Sequence, residues 1–383
     1  MKKYQIVLIS IIIIILISFL TIFAYLFGVP AKPVDKIENP KLALLVLPTN
    51  FITSEKAFNN LSFFEKIKMM TRIIRELNKG FKFAAENKAS IIPWMTEWKE
   101  LERSENNYNW FVLDLINYMA KRQHMELAFE LNLINTNVLA NYPDDIDFKG
   151  FDNPVFIERA KKFVKELTKR YKGDLKYFWI GNEVNHYFQK HPEQLNGFFV
   201  LYDELEKEIK SVDPNITTGI YVAYHLFEDK DMIKTFAERG DVLALSAYPD
   251  AFSPQERIQN ISQTMDYFDK IMQKTYPAKI AVTETGWSTR GKYGSTEKQA
   301  RYVKEIFKVM KKHKSRLEYF TWSTLYDVSE ESAKEIADSL NKLDPEKHKE
   351  HIDWLSSTGL LTADYKEKPA FEIWRQEAGK IED

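Results

Sequence analysis

From residue 42 to residue 322 the chain repeats one two-part unit eight times: a short apolar run, then a longer run with helical spacing. The apolar runs are 42–47, 90–94, 125–131, 176–181, 217–222, 242–247, 279–283 and 317–322. They are too short for helices, rich in β-branched and aromatic residues, and apolar at successive positions, as strands buried on both faces must be. The intervening runs carry apolar residues at helical spacing. Over 63–77 these are Phe64, Ile67, Ile73, Ile74 and Leu77; over 157–171 they are Ile157, Ala160, Val164, Leu167 and Tyr171. Further helices are expected from 111, around 199–209, and over 232–238, 258–272, 297–311 and 369–377. Strand–helix alternation predicts a parallel sheet covered by helices, and eight units predict a closed (β/α)8 barrel over 41–383 as one domain. The competing fold, an open doubly wound sheet, calls for a glycine-rich phosphate loop after the first strand. Pro48-Thr49-Asn50 is not such a loop.

The amino terminus belongs to a different regime. Lys2 and Lys3 precede an uncharged apolar run over 6–27, long enough for the roughly 20 residues that cross a bilayer. The positive end should stay in the cytoplasm and the remainder outside. A secretory signal has a shorter apolar stretch, about 7–15 residues, and a small-residue cleavage site; here the nearest candidate, Val29-Pro30-Ala31, contains a proline. The expected organisation is therefore a cytoplasmic stub and membrane anchor over 1–27, a proline-containing linker over 28–40, and a domain outside the cell over 41–383. A cleaved signal, giving a secreted protein, is the alternative. Asn60, Asn215 and Asn260 open Asn-x-Ser/Thr sequons.

The net charge of −1 gives no footing for nucleic acid. The chain has no cysteine, which excludes disulfides, thiolate metal sites and a cysteine nucleophile. Its seven histidines show neither metal-ligand spacing nor a His-Glu-x-x-His motif, so neither metal nor cofactor is expected, and the expected state is a monomer. Aromatic residues make up 14%, which suits stacking on flat ligands and suits barrel packing equally.

Two strand-like runs end abruptly on a glutamate: Phe178-Trp179-Ile180-Gly181-Asn182-Glu183 and Ala281-Val282-Thr283-Glu284-Thr285-Gly286-Trp287. In a (β/α)8 enzyme the active site lies where strands exit, so strands four and seven would bring these carboxylates together. A lone glutamate after a strand is usually a helix cap or a surface charge; the pair, at these two strands, is far more specific. Two carboxyl groups so placed suit cleavage of a glycosidic bond, one as acid/base and one as nucleophile.

The pairing resembles the large superfamily of retaining β-glycosidases that carry the acid/base on strand four and the nucleophile on strand seven. The second motif is most similar to the endo-β-1,4-galactanase family. The resemblance implies that Glu183 is the acid/base and Glu284 the nucleophile. It implies that Asn182 bonds the sugar 2-hydroxyl, that Tyr248 in Ser246-Ala247-Tyr248-Pro249 holds the nucleophile, and that Trp322 forms the floor under the sugar. Trp287 either packs the rim or touches sugar. Trp94, Glu97, Trp98 and Asn132 leave strands two and three, where they either shape subsites or pack. A phenol beside Glu284 should lower its pKa, whereas Glu183 must start protonated. Two positions depart from many relatives. Ile92-Pro93-Trp94-Met95-Thr96 has no arginine, and Phe129-Glu130-Leu131-Asn132 has no histidine, His124 lying at the wrong end of its strand.

The expectation is a retaining hydrolase of β-glycosidic bonds in an extracellular oligo- or polysaccharide. A glycan-binding protein without turnover and a transglycosylase acting on cell-surface glycan are the alternatives. A long charged helical stretch over 329–351 follows strand eight, with Ile336, Leu340 and Leu343 on one side and Trp354 at its base. It either packs outside the barrel or walls one end of the cleft.

Overall fold

In the computed structural model of the chain, residues 30–32, 40–47, 61–139, 141–224, 232–250, 258, 260–339 and 345–380 are described. The eight apolar runs form β1 (Lys41–Leu45), β2 (Ile91–Glu97), β3 (Glu126–Asn135), β4 (Leu175–Asn182), β5 (Thr217–Ala223), β6 (Val242–Ser246), β7 (Lys279–Thr285) and β8 (Leu317–Ser323). All eight run parallel; β8 pairs with β1 and β2 pairs with β3, so the sheet closes into a barrel.

Helices α1 (Phe63–Glu86), α2 (Phe111–Arg122), α3 (Pro154–Arg170), α4 (Leu195–Val212), α5 (Met232–Ala237), α6 (Thr264–Lys274) and α7 (Thr296–His313) follow strands one to seven. The local signals for their starts are ordinary ones. At α3, Asn153 accepts from the amides of Val155 and Phe156 at 3.0 and 3.2 Å, and Pro154 fills the first turn. After β8 come α8 (Glu330–Ser339) and α9 (Pro345–Leu355), and then α10 (Pro369–Ala378). Phe371 of α10 packs on Phe83 of α1 at 4.9 Å, and Phe307 of α7 packs on Trp374 of α10 at 5.4 Å. The last helix thus closes the outer ring, and α8 and α9 are an insertion before it. The stretch 329–351 is therefore two helices packed on each other; Leu340 and Leu343 lie outside the described residues.

Side chains alternate across each strand, which divides the core in two. Facing the barrel axis are Ala43, Ile91, Ala128, Tyr177, Trp179, Tyr221, Ala244, Ala281 and Tyr319. Large rings from β4, β5 and β8 thus meet alanines from β1, β3, β6 and β7. Trp179 donates to the Tyr319 hydroxyl at 2.7 Å, and Gly219 makes room, since a Cβ there would stand 1.9 Å from the Val242 carbonyl oxygen and 3.0 Å from the Trp179 ring. Facing outward, Leu42, Leu44, Phe129, Phe178, Ile180, Leu245, Val282 and Phe320 pack against the helices.

The 6–27 run lies outside the described residues, and no helix among the described residues is long and apolar enough to cross a membrane. Of the expected linker, Ala31 is buried and its amide donates to Gln123 Oε1 at 2.7 Å. Gln123 caps the C-terminal end of α2, so this segment docks at the barrel face opposite the strand exits.

Candidate active site

The exit of β4 is an elbow. Gly181 and Glu183 both hold positive φ, at 77° and 46°. A Cβ at Gly181 would fall 2.1 Å from Val184 Cγ1, so only glycine fits before the turn. A non-glycine residue at positive φ is uncommon and costs about 1–3 kcal/mol, a strain that collects at functional sites. The elbow is pinned from both sides. Thr136 N donates to the Asn182 carbonyl at 2.8 Å and Val184 N to the Tyr221 carbonyl at 3.0 Å. Asn185 exchanges two bonds with the backbone of Ala223, at 2.7 and 2.9 Å.

The exit of β7 is fixed differently. Its pairing with β6 slips between Val282 and Glu284, and the flanking threonines make up the lost ladder bonds. Thr283 Oγ1 donates to the Leu245 carbonyl at 3.0 Å, and Thr285 Oγ1 donates to the Ala247 carbonyl. A bulge of this kind re-aims a side chain, and here the residue between the threonines is Glu284.

Glu183 and Glu284 share the mouth of the barrel in unlike surroundings. The Glu183 side chain is 15% exposed, with His186 Nε2 at 3.5 Å and a hydrogen bond from Ser246 Oγ. Burial first, and the charge of Glu284 second, raise its pKa to about 7, against the lowering effect of Ser246. Glu284 accepts from the Tyr248 hydroxyl at 2.6 Å. Burial raises its pKa too, but the phenols of Tyr248 and Tyr221 pull it back. The net direction is upward, so Tyr248 offsets desolvation rather than taking Glu284 below the ordinary carboxylate range. Near pH 7 Glu183 is thus about half protonated, and the phenol donor that lowers Glu284 has no phenol counterpart at Glu183 among the described residues, an asymmetry of the kind an acid–nucleophile pair needs.

The structure brings Asn182, Tyr248 and Asn132 to this mouth. Asn182 is 6% exposed and bonded to Glu130; Asn132 is 3% exposed, and its Oδ1 has no partner among the described residues. It does not bring Trp322 there. The ring is 1% exposed, faces Tyr302 of α7 at 5.9 Å and donates to the Thr358 carbonyl at 3.0 Å. Ser323, one residue on, lies instead beside Tyr248, and the backbone at Gly286 closes on the Ser323 carbonyl. Trp94 is register-paired with outward-facing Phe129 and packs against the outer core. Trp98 is buried against Phe163 at 5.4 Å and donates to Glu102 at 2.8 Å, and Glu97 pairs with Lys99 at 3.0 Å. Trp287 is 3% exposed against Tyr302 at 5.4 Å, a rim-packing residue whose Nε1 has no partner among the described residues.

The sequence reading missed Tyr221, Ser246, His186 and Glu130 as site residues. It also gave Trp354 no partner. This α9 residue meets Tyr248 edge-to-face at 4.7 Å and donates to Asp250 at 3.3 Å, and Asp250 in turn accepts from Ser288 N at 3.0 Å. The insertion therefore stands on the β6–β7–β8 side of the mouth, across from Glu183.

No protein-family model matches the sequence, and no curated protein matches it. Solved structures share the fold. A family 39 glycoside hydrolase of the gut symbiont Bacteroides cellulosilyticus aligns over 91% of this chain and 66% of its own, at 14% identity and a TM-score of 0.59. A GH5_18 protein of Bifidobacterium longum, solved with Manβ1-4GlcNAc, aligns over 90% of this chain and 78% of its own, at 12% identity and 0.66. An exo-β-1,4-mannosidase of an Opitutaceae bacterium aligns over 92% and 62%, at 13% identity and 0.63. At such identities the likeness is one of fold: this chain is a (β/α)8 barrel of the architecture those proteins share.

Proposed function

We propose that this protein is a retaining β-glycoside hydrolase, with Glu284 as nucleophile and Glu183 as acid/base. The observation that carries the reading is the contrast between two half-buried carboxyls at the exits of β4 and β7. One has its pKa raised to about 7, and the other accepts a 2.6 Å hydrogen bond from the Tyr248 phenol with the Tyr221 ring beside it. Glu284 attacks the anomeric carbon while Glu183 gives its proton to the departing oxygen; Glu183 then takes a proton from the water that releases the sugar. Double displacement returns the β-anomer. The fold neighbours, among them glycoside hydrolases, a mannosidase and β-glucuronidases, support the class.

The substrate is a β-linked oligo- or polysaccharide. The Thr283–Trp287 motif keeps β-1,4-galactan among the candidates, and the fold neighbours, one bound to Manβ1-4GlcNAc and others a mannosidase and a β-glucuronidase, add β-mannosides and β-glucuronides. On the strength of the 6–27 run we place the enzyme outside the cell, anchored in the membrane or, where that run is cleaved as a signal, secreted. Ala31 docks at the opposite face of the barrel, so the mouth would point away from the bilayer. The test is to incubate the full-length chain with aryl β-galactosides, β-mannosides, β-glucosides, β-xylosides and β-glucuronides, and with the matching polymers. Hydrolysis lost on every substrate in Glu284→Gln, and lost on the polymers in Glu183→Gln, supports the reading; no turnover across the panel, or turnover unaffected by either change, overturns it.

A further inference from the structure

Glu130 has no part in the chemistry just described, yet it stands among the groups that do. It lies on the inward side of β3, two residues from axis-facing Ala128, and is 5% exposed. Asn182 Nδ2 donates to its Oε1. The groups that face it from other strands are Glu183 on β4, Tyr221 on β5, Glu284 on β7 and Tyr319 on β8. Among the described residues no lysine or arginine pairs with any of the three carboxyls, and the basic group beside Glu183 is His186, 3.5 Å away. No three acidic or imidazole groups among those residues are placed to hold a metal ion. One buried and two half-buried acids without a paired lysine or arginine need an explanation, because an unpaired carboxylate away from water is costly.

We infer that Glu130 is the positioning residue for Asn182, and that through this amide it governs how the enzyme reads the group at C2 of the sugar it cleaves. This rests on the glycoside hydrolase reading. Asn182 sits on a strained elbow, and its side chain could otherwise rotate or flip. With one N–H committed to Glu130, its remaining N–H and carbonyl oxygen are left in one orientation for the substrate. Burial and the charge of Glu284 hold the pKa of Glu130 well above the carboxylate range. Its neutral form is therefore favoured beside an ionised Glu284, and in that form it accepts the amide proton without adding a charge that would oppose nucleophilic attack. A glutamine would accept the same proton from the same place; an alanine would not.

The experiment compares full-length wild type, Glu130→Ala, Glu130→Gln, Asn182→Ala and the Glu130→Ala/Asn182→Ala double variant. It uses the 4-nitrophenyl β-glycoside that wild type cleaves best and its 2-deoxy counterpart. The inference expects the 2-hydroxy over 2-deoxy preference in kcat/KM to fall about tenfold or more in both alanine variants, with no further fall in the double variant. Glu130→Gln should keep that preference within about threefold and leave the pH profile in place. A preference unchanged in folded Glu130→Ala, a fully additive double variant, or a displaced profile in Glu130→Gln would each overturn it. A readout free of turnover is the Asn182 side-chain amide in 1H–15N spectra. One of its protons should be shifted by the bond to Glu130 in wild type and Glu130→Gln, and released in Glu130→Ala. If that amide behaves as expected while wild type cleaves no glycoside, the proposed activity fails but the positioning does not; an amide indifferent to Glu130→Ala overturns the positioning.

Discussion

Replacing Glu183 by glutamine removes a charge that the fold resists. The group's pKa rises from its ordinary 4.5 to about 7, chiefly by burial, and each unit corresponds to 1.36 kcal/mol. The side chain is 15% exposed, so solvent screens little of this. A raised carboxyl favours the protonated form in the native state. Its contribution to stability is complete below pH 4.5 and is lost as pH climbs to about 7, beyond which the ionised group costs the native state about 3 kcal/mol. Glutamine pays no such penalty. Urea unfolding of wild type and Glu183→Gln at pH 4 and pH 8 should therefore show the variant gaining about 3 kcal/mol more at the higher pH. The same variant should lose about 10²–10⁴-fold in activity on substrates whose leaving group needs a proton. An equal stability difference at both pH values would refute the argument that Glu183 is held protonated by its surroundings.

Other consequences follow from the partners of the two acids. Ser246→Ala removes a donor that lowers the Glu183 pKa, so the alkaline limb of kcat/KM against pH should move up, by about one pH unit for a hydrogen bond to a charged group. Tyr248→Phe removes the 2.6 Å donor to Glu284; the acidic limb should move up and kcat/KM fall roughly 10–100-fold, the worth of a hydrogen bond to a charged group, both read from the same profile. Because α9 holds Trp354 against Tyr248 at the mouth, deleting 330–350 with a short Gly/Ser bridge, with folding checked by circular dichroism, should raise activity on polymer relative to short oligosaccharide. An unchanged ratio would show that the insertion does not limit the cleft.

The barrel and the acid pair were legible because each rests on a strong local signal. Apolar runs flanked by helical spacing mark strands of a parallel barrel, and a glutamate ending such a run lies at a strand exit. Facing was not legible, for the same reason that the strands were. In β8 the inward Tyr319 and the outward Phe320 and Trp322 are alike in polarity, so nothing in the run tells which ring enters the barrel. Trp322, expected under the sugar, accordingly stands outside, and of the two roles open to Trp94 on β2 the structure shows packing. Glu130 did leave a trace. An ionisable residue inside the apolar run 125–131 contradicts burial unless it has a partner, and Asn182 of the neighbouring strand is that partner. The break in the 329–351 stretch was also readable, because Pro345 begins α9. Tyr221 left no such trace, since a tyrosine in a strand is usually packing, and only the closed barrel shows it facing Glu284.

The central claim is that Glu284 forms a covalent bond to sugar while Glu183 moves the proton. Its most direct test is trapping with a 2-deoxy-2-fluoro β-glycosyl fluoride matched to the best substrate, followed by peptic digestion and mass spectrometry. The account predicts one glycosyl adduct, on the peptide containing Glu284, formed faster than it turns over and absent from Glu284→Gln. An adduct on Glu183 or Glu130, or an active enzyme that forms no adduct and releases the α-anomer first, would contradict it.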